Sequence, residues 1–181
     1  MNFSLRQRGF TLVELMVTVV IISILIGVAV IGIRQQRQSA KSAEPRAVIR
    51  AVGSAQEVYR AEHLAYLDVS SSMTDYYPTG APQFNRVFSF YGWSGSTAEN
   101  WERLEPVVDF PVEFGYVVRA GLPATSGIPV PAGASGVVAG APPPEPWFIV
   151  EAVGDLDGDG IRSYFTTTSF TTNVVEVRPG E

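Results

Sequence analysis

The sequence predicts an α+β fold: a long N-terminal helix whose second half packs on an antiparallel β-sheet of about four strands. Three observations carry this expectation. Residues 10–33 form an apolar run with one ionisable side chain, Glu14. Residues 34–67 turn polar but keep apolar positions three or four apart. Beyond residue 111, short stretches rich in β-branched and aromatic residues alternate with Gly, Pro and Asp turns.

The apolar run is 24 residues long. As a helix it reaches about 36 Å, enough to cross a bilayer core of about 30 Å. Its apolar side chains occupy every side of the helical wheel, so it needs lipid or other helices all round. Glu14 is the anomaly. A carboxylate within hydrocarbon costs about 2.5–3.5 kcal/mol and calls for a partner. No basic residue lies one turn away inside the run. A cut between Gly9 and Phe10 would place a free amino terminus one turn before Glu14, and in a neighbouring copy that charge could pair with the carboxylate.

A basic leader ending in Gly9, then Phe10, Thr11, Leu12, Val13, Glu14 and Leu15 at the head of a long apolar helix resembles the type IV prepilin signature. The resemblance implies cleavage after Gly9 by a prepilin peptidase, N-methylation of Phe10 and helical assembly into a fibre. It assigns Gly9, Phe10 and Glu14 as cleavage residue, new terminus and assembly carboxylate. The fold it implies is the type IV pilin fold. Ile31 stands near the place where many members carry a proline; Gly27 and Gly32 are the helix-weakening residues there.

The division of the chain follows: a prepilin leader at 1–9, a transmembrane and fibre-core helix at 10–33, an amphipathic stem helix at 34–67, and a globular sheet head at 68–181. The 181 residues contain no cysteine, so the head has neither a disulfide nor a thiolate metal site. Residues 34–62 carry net +3 and residues 63–181 net −9, within a chain of −5. So acidic a head disfavours binding to duplex DNA, and nucleic acid is not an expected partner. Arginines flank the apolar run at both ends, so charge alone does not set its orientation. The resemblance implies a cytoplasmic N-terminus and a single-pass inner-membrane state before assembly.

In the stem, Val48, Val52, Ala55, Tyr59 and Glu62 are spaced as one face, widened by Ala51 and Val58. Pro45 should bend or restart this helix, and Gly53 should weaken it. His63, the one histidine, is expected exposed near the helix end. Residues 68–80 read as a connecting loop and 86–93 as a short strand. Residues 96–104 read as a short helix, capped by Ser96 or Thr97, with Glu99 at capping-box distance and Trp101 and Leu104 inward. Strands are expected at 112–120, 147–153, 161–168 and 173–178. The first should turn Val112, Phe114, Tyr116 and Val118 to one face. Short joins favour an antiparallel meander on the stem helix. Trp93, Trp101 and Trp147 are expected as core anchors. The Gly/Pro-rich stretch 121–146 has no helical or strand period and is expected as a solvent loop.

One motif carries metal chemistry. Asp155, Asp157 and Asp159 alternate before Gly160, a D-x-D-x-D-G order that sets hard carboxylate oxygens around a sharp turn and suits Ca2+. An EF-hand would have its bidentate Glu where Thr166 stands, and a strand follows instead of a helix, so a full EF-hand is excluded. The competing reading is a metal-free Asp/Gly hairpin. No cofactor is required by the sequence; Ca2+ at 155–160 is the one candidate.

One His, no Cys and no phosphate-cradling loop leave no catalytic set. The expected role is a non-enzymatic structural subunit, a minor type IVa pilin in preference to a major pilin or a type II secretion pseudopilin. Other pilin subunits, the prepilin peptidase, the inner-membrane assembly machinery and the membrane itself are its implied partners. The alternative from another class is a membrane-anchored binding module that captures a ligand through the 121–146 loop or the Asp turn.

Overall fold

The computed structural model describes residues 10–78, 80, 86–123, 129–132 and 143–179. It falls into two compact units, one up to Gln38 and one from Ser39 onward.

In the first unit, helix α1 (Leu12–Lys41) begins. Its stretch Leu12–Ala29 is long and apolar enough to cross a membrane. Large apolar side chains such as Leu15, Val20, Ile24 and Val28 are each more than half exposed in the isolated chain. The hydroxyls of Thr18 and Ser23 donate back to the carbonyls of Leu15 and Val19, both at 2.8 Å. The segment thereby satisfies its polar atoms internally, as hydrocarbon demands. The helix is unbroken at Gly27 and Gly32.

The second unit begins with the end of α1. Helix α2 (Ala43–His63) follows after a one-residue break at Ser42. Pro45 explains the break: its ring crowds the carbonyl four residues back, that of Lys41, and its missing N–H costs nothing in the first turn of a new helix. The helix runs on through Gly53 and ends at Leu64, whose φ of 59° is left-handed. The buried face differs from the expected stripe. Pro45, Val48, Ile49, Val52 and Gln56 face inward, whereas Val58 and Glu62 are exposed and Ala51, Ala55 and Tyr59 only half-buried. Gln56 takes an inward place because its amide closes both hydrogen bonds of the Leu67 backbone, Nε2 to O at 2.8 Å and N to Oε1 at 2.9 Å. A polarity pattern cannot distinguish that glutamine from a solvated one.

Helix α3 (Ser96–Leu104) lies where the sequence places it, with Trp101 and Leu104 buried. Its cap is a correction: Gly95, at φ 117°, is the N-cap and no side chain closes it. Thr97 instead donates to Asp75 at 2.8 Å. The expected strand at 86–93 is also corrected. Only Phe88 pairs, with Val112, through two 2.8 Å backbone bonds. Trp93 is no core anchor; it is 40% exposed and folds back to donate to the Ser89 carbonyl.

Strands β1 (Gly115–Gly121), β2 (Trp147–Gly154), β3 (Ser163–Thr168) and β4 (Thr171–Val177) form one antiparallel sheet in the order β1-β2-β3-β4. Phe114, Tyr116, Val118, Phe148, Val150, Ala152 and Phe165 share a core with Val48, Ile49 and Val52 of α2. Trp101 stacks on Tyr77 there, with ring centroids 5.2 Å apart. Val117 and Val153 form a second small cluster with Tyr76. At Gly154 a Cβ would stand 2.5 Å from the buried Phe114 ring, so that strand end accepts only glycine without a shift.

Strand β4 starts two residues before the expected 173, while β1 and β3 start later than expected, both for one reason. The N–H groups of Glu113 and Phe114 are taken by the Glu44 carboxylate, and that of Ile161 by Asp159, so the ladders begin later, at Gly115 and Ser163.

The free edge of β1 is covered. Along it, Ala120 N–H donates to Asp68, Val118 N–H to the Ser70 hydroxyl, and Tyr116 N–H to the Tyr77 carbonyl. The connecting loop is therefore an edge guard. β4 pairs with β3 on one side, and its outer side carries no strand among the described residues.

Candidate functional site

At the N-terminus, Gly9 and the leader lie outside the described residues. Phe10 is 78% exposed. Thr11 and Glu14 close a capping box at the start of α1. Glu14 N–H donates to Thr11 Oγ1 at 3.3 Å, while Thr11 N–H and Oγ1–H reach Glu14 Oε2 at 3.4 and 3.3 Å. The sequence reading missed this although the T-x-x-E signal was present. In a single copy the carboxylate thus already has a role: it accepts the Thr11 N–H and hydroxyl and sits favourably at the positive end of the helix dipole. It remains exposed.

Within the second unit, the stem is locked to the sheet by charge. Glu44, in the first turn of α2, accepts from Glu113 N–H at 2.9 Å, Phe114 N–H at 3.2 Å and the Tyr116 hydroxyl at 2.9 Å. Burial raises its carboxyl above the ordinary value, against the opposing pull of those hydrogen bonds. Tyr116, fully buried, is pushed well above its ordinary value by desolvation and by the neighbouring carboxylate. Lys41 pairs with Glu113 at 3.1 Å. Arg46 makes a fork to Glu176 on β4 at 2.6 and 2.9 Å, and the hydrogen bond from Arg46 lowers the Glu176 carboxyl. His63 is exposed at the end of α2 and stacks on Tyr59 at 4.0 Å.

The Asp turn joins β2 to β3. Carboxylate oxygens of Asp155, Asp157 and Asp159 lie within 4.8 Å of one another, Asp155 half-buried and the others exposed. Their oxygens already accept loop N–H groups: Asp155 those of Gly158 (2.7 Å) and Gly160 (3.2 Å), Asp157 that of Asp159, and Asp159 that of Ile161 (2.6 Å). Three hard oxygen donors fit Ca2+ in type. Thr166 cannot complete a ring of ligands, because it is fully buried on β3 and its hydroxyl donates to Glu151 at 3.4 Å. Of the 121–146 stretch, residues 124–128 and 133–142 lie outside the described residues; Pro131 and Pro143 are buried.

Comparison with known proteins bears on the N-terminal motif and on less than half of the chain. Residues 4–30 match the prokaryotic N-terminal methylation motif. An 80-residue stretch is 34% identical to type II secretion system core protein G of Pseudomonas aeruginosa, covering 43% of this chain and 56% of that protein. The match thus spans little more than half the length of that relative. No solved structure matches the chain.

Proposed function

We propose, for a chain that is type IV pilin-like in its N-terminal motif and its α+β fold, that it is a structural subunit of a helical filament. It is held in the inner membrane by its apolar helix, with the N-terminus cytoplasmic, until it is extracted into the fibre. Prepilin peptidase cuts after Gly9, and Phe10 becomes the N-methylated terminus. In the fibre the all-round apolar helices bundle as a core, which supplies the driving force by removing that surface from the membrane. Glu14 pairs with the amino terminus of a neighbouring copy. The single observation that carries this reading is Glu14 at the head of an apolar helix that has no polar face.

Within the filament class, the likeness to a secretion-system core protein supports a subunit repeated along a type II secretion filament. The minor type IVa pilin expected above, supported by Ile31 and the cysteine-free head, is the competing reading. Quantitative mass spectrometry of sheared fibres and membranes, including the N-terminal peptide, separates them. A dominant fibre chain starting at N-methylated Phe10 makes it a repeated subunit. Trace abundance with the same terminus makes it a minor one. An uncut Gly9–Phe10 bond overturns both. The Asp turn is assigned as an accessory Ca2+ site, held by Asp155, Asp157 and Asp159, that the fold does not require. Its chemistry there is structural, bracing the β2–β3 hairpin.

A further inference from the structure

Helix α2 and the β3–β4 hairpin border an open hollow of about 680 Å³, within the range of about 300–1,000 Å³ that holds small ligands. Ile49 and Phe148 form its buried floor. Arg50, Gly53, Ser54 and Glu57 line one side, spaced three and four apart as one helix face. Ser169 and Phe170, the two residues of the hairpin loop, line the other.

Two of these residues break local rules that packing does not explain. Gly53 stands in mid-helix at a cost of about 1 kcal/mol against Ala. Yet beyond its own helix a Cβ there would meet nothing closer than the Phe148 ring, at 4.0 Å. Its missing side chain leaves the hollow open. Phe170 occupies a two-residue hairpin loop, where small turn formers are favoured, and it is 51% exposed. Departures from local preference that bring the fold nothing belong to functional sites.

The polar lining offers donors and acceptors together. The Arg50 guanidinium, with five N–H donors, is committed to no ion pair among the described residues. Glu57 Oε1 accepts from the Tyr66 hydroxyl, which leaves Oε2 as an acceptor. Ser169 Oγ accepts the Phe148 N–H, so its own proton is left to donate. The charged lining is one Arg and one Glu, net zero, beside a head of net −9. An anion would meet Glu57 and that negative field, and a cation would meet Arg50. A neutral polyhydroxyl ring meets neither penalty. Its hydroxyls each donate and accept, and its C–H face suits an aromatic ring.

We propose that this hollow binds a pyranose ring of a neutral saccharide. The C–H face packs on Phe170 above the Phe148 floor, while Arg50, Glu57 and Ser169 hold the hydroxyls. The site is independent of the filament reading and of the Asp turn. It gives the head a binding function besides its structural one.

Saturation-transfer NMR on the full-length chain, held in a detergent without a sugar headgroup, tests this. The probes are maltose, lactose and N,N′-diacetylchitobiose, with hexanoate as an apolar anion. A saturable signal from at least one sugar is expected, with Kd in the millimolar range and the strongest transfer to ring C–H protons. Gly53→Leu fills the hollow and should abolish that signal. Leucine suits a helix better than glycine, so this variant should melt no lower than wild type. Arg50→Ala, at an exposed position, should weaken binding roughly tenfold. Silence from all three sugars overturns the proposal. So does a sugar signal that survives both Gly53→Leu and Arg50→Ala, or binding of hexanoate alone.

Discussion

The hydroxyl of Tyr116 donates to Glu44 Oε1 at 2.9 Å, joining the first turn of α2 to the start of β1 across 72 residues of chain. The same carboxylate holds the backbone N–H groups of Glu113 and Phe114, the two residues just before β1. Charge-assisted bonds of this kind are worth about 1.5–3 kcal/mol each, and stranding their buried donors is costly. Glu44→Ala is therefore expected to lower the stability of the 39–181 unit by about 2–4 kcal/mol, measured by urea unfolding. An unchanged midpoint would show that stem and sheet are held by apolar packing alone.

The two carboxylates that fasten the stem respond to pH in opposite directions. Burial raises the Glu44 carboxyl above its reference of 4.5, so the folded state binds that proton more tightly than the unfolded chain. Its contribution is complete below that reference and is lost as pH rises through the folded value. The hydrogen bond from Arg46 lowers the Glu176 carboxyl, so its contribution is present at neutral pH and is lost as pH falls. Between pH 4 and 7, wild type should lose stability with rising pH relative to Glu44→Gln and gain it relative to Glu176→Gln. Parallel profiles for all three proteins would contradict both assignments.

Gln56 is fully buried and serves both backbone groups of Leu67. Gln56→Leu keeps the volume but strands a buried donor and acceptor, at a cost of about 2–4 kcal/mol. Thermal unfolding checks this. A neutral result would mean that water reaches the 64–67 turn.

Leu64 adopts φ 59° at the end of α2 with its side chain 83% exposed, so it is strained without packing in return. Leu64→Gly relieves about 1–2 kcal/mol of left-handed strain and gives back about 0.5–1 kcal/mol in chain entropy. A net gain near 0.5 kcal/mol is expected in the unfolding midpoint.

Glu14 has a task within one copy and a second task proposed between copies. Glu14→Leu should leave membrane insertion intact and depress incorporation into fibres, read by immunoblot of sheared material. Thr11→Ala opens the capping box but keeps the carboxylate, and should have the smaller effect on incorporation. Equal losses from the two would mean that helix capping, not charge pairing, is what assembly requires.

At the Asp turn, millimolar Ca2+ should raise the melting temperature of the protein by mass action. EDTA should return it to the metal-free value without unfolding the protein, and Asp157→Asn should abolish the shift. No shift at any Ca2+ concentration would remove the metal.

What could be read in advance followed from strong periodicity. The apolar anchor, α3 with Trp101, the meander of four strands and the alternating face of β1 all come from spacing and residue type. Polar side chains that substitute for backbone partners escaped that reading. Glu44 shortens β1 at its start, Gln56 rotates the buried face of α2, and Asp68 and Ser70 guard the edge of β1. Each is a glutamate, glutamine, aspartate or serine whose role depends on a backbone group far along the chain, which local pattern does not encode. Trp93 misled for the related reason that its indole N–H finds a partner at the surface.

The guarded edge of β1 also limits how these heads could stick to one another. With β1 occupied by the 68–77 loop and Glu44, β4 is the one sheet edge left among the described residues to accept a foreign strand. Two heads joined there would present a sealed β1 at each outer margin, and sheet growth would stop at a pair. Unlimited ribbon growth through the sheet is thus blocked at the head.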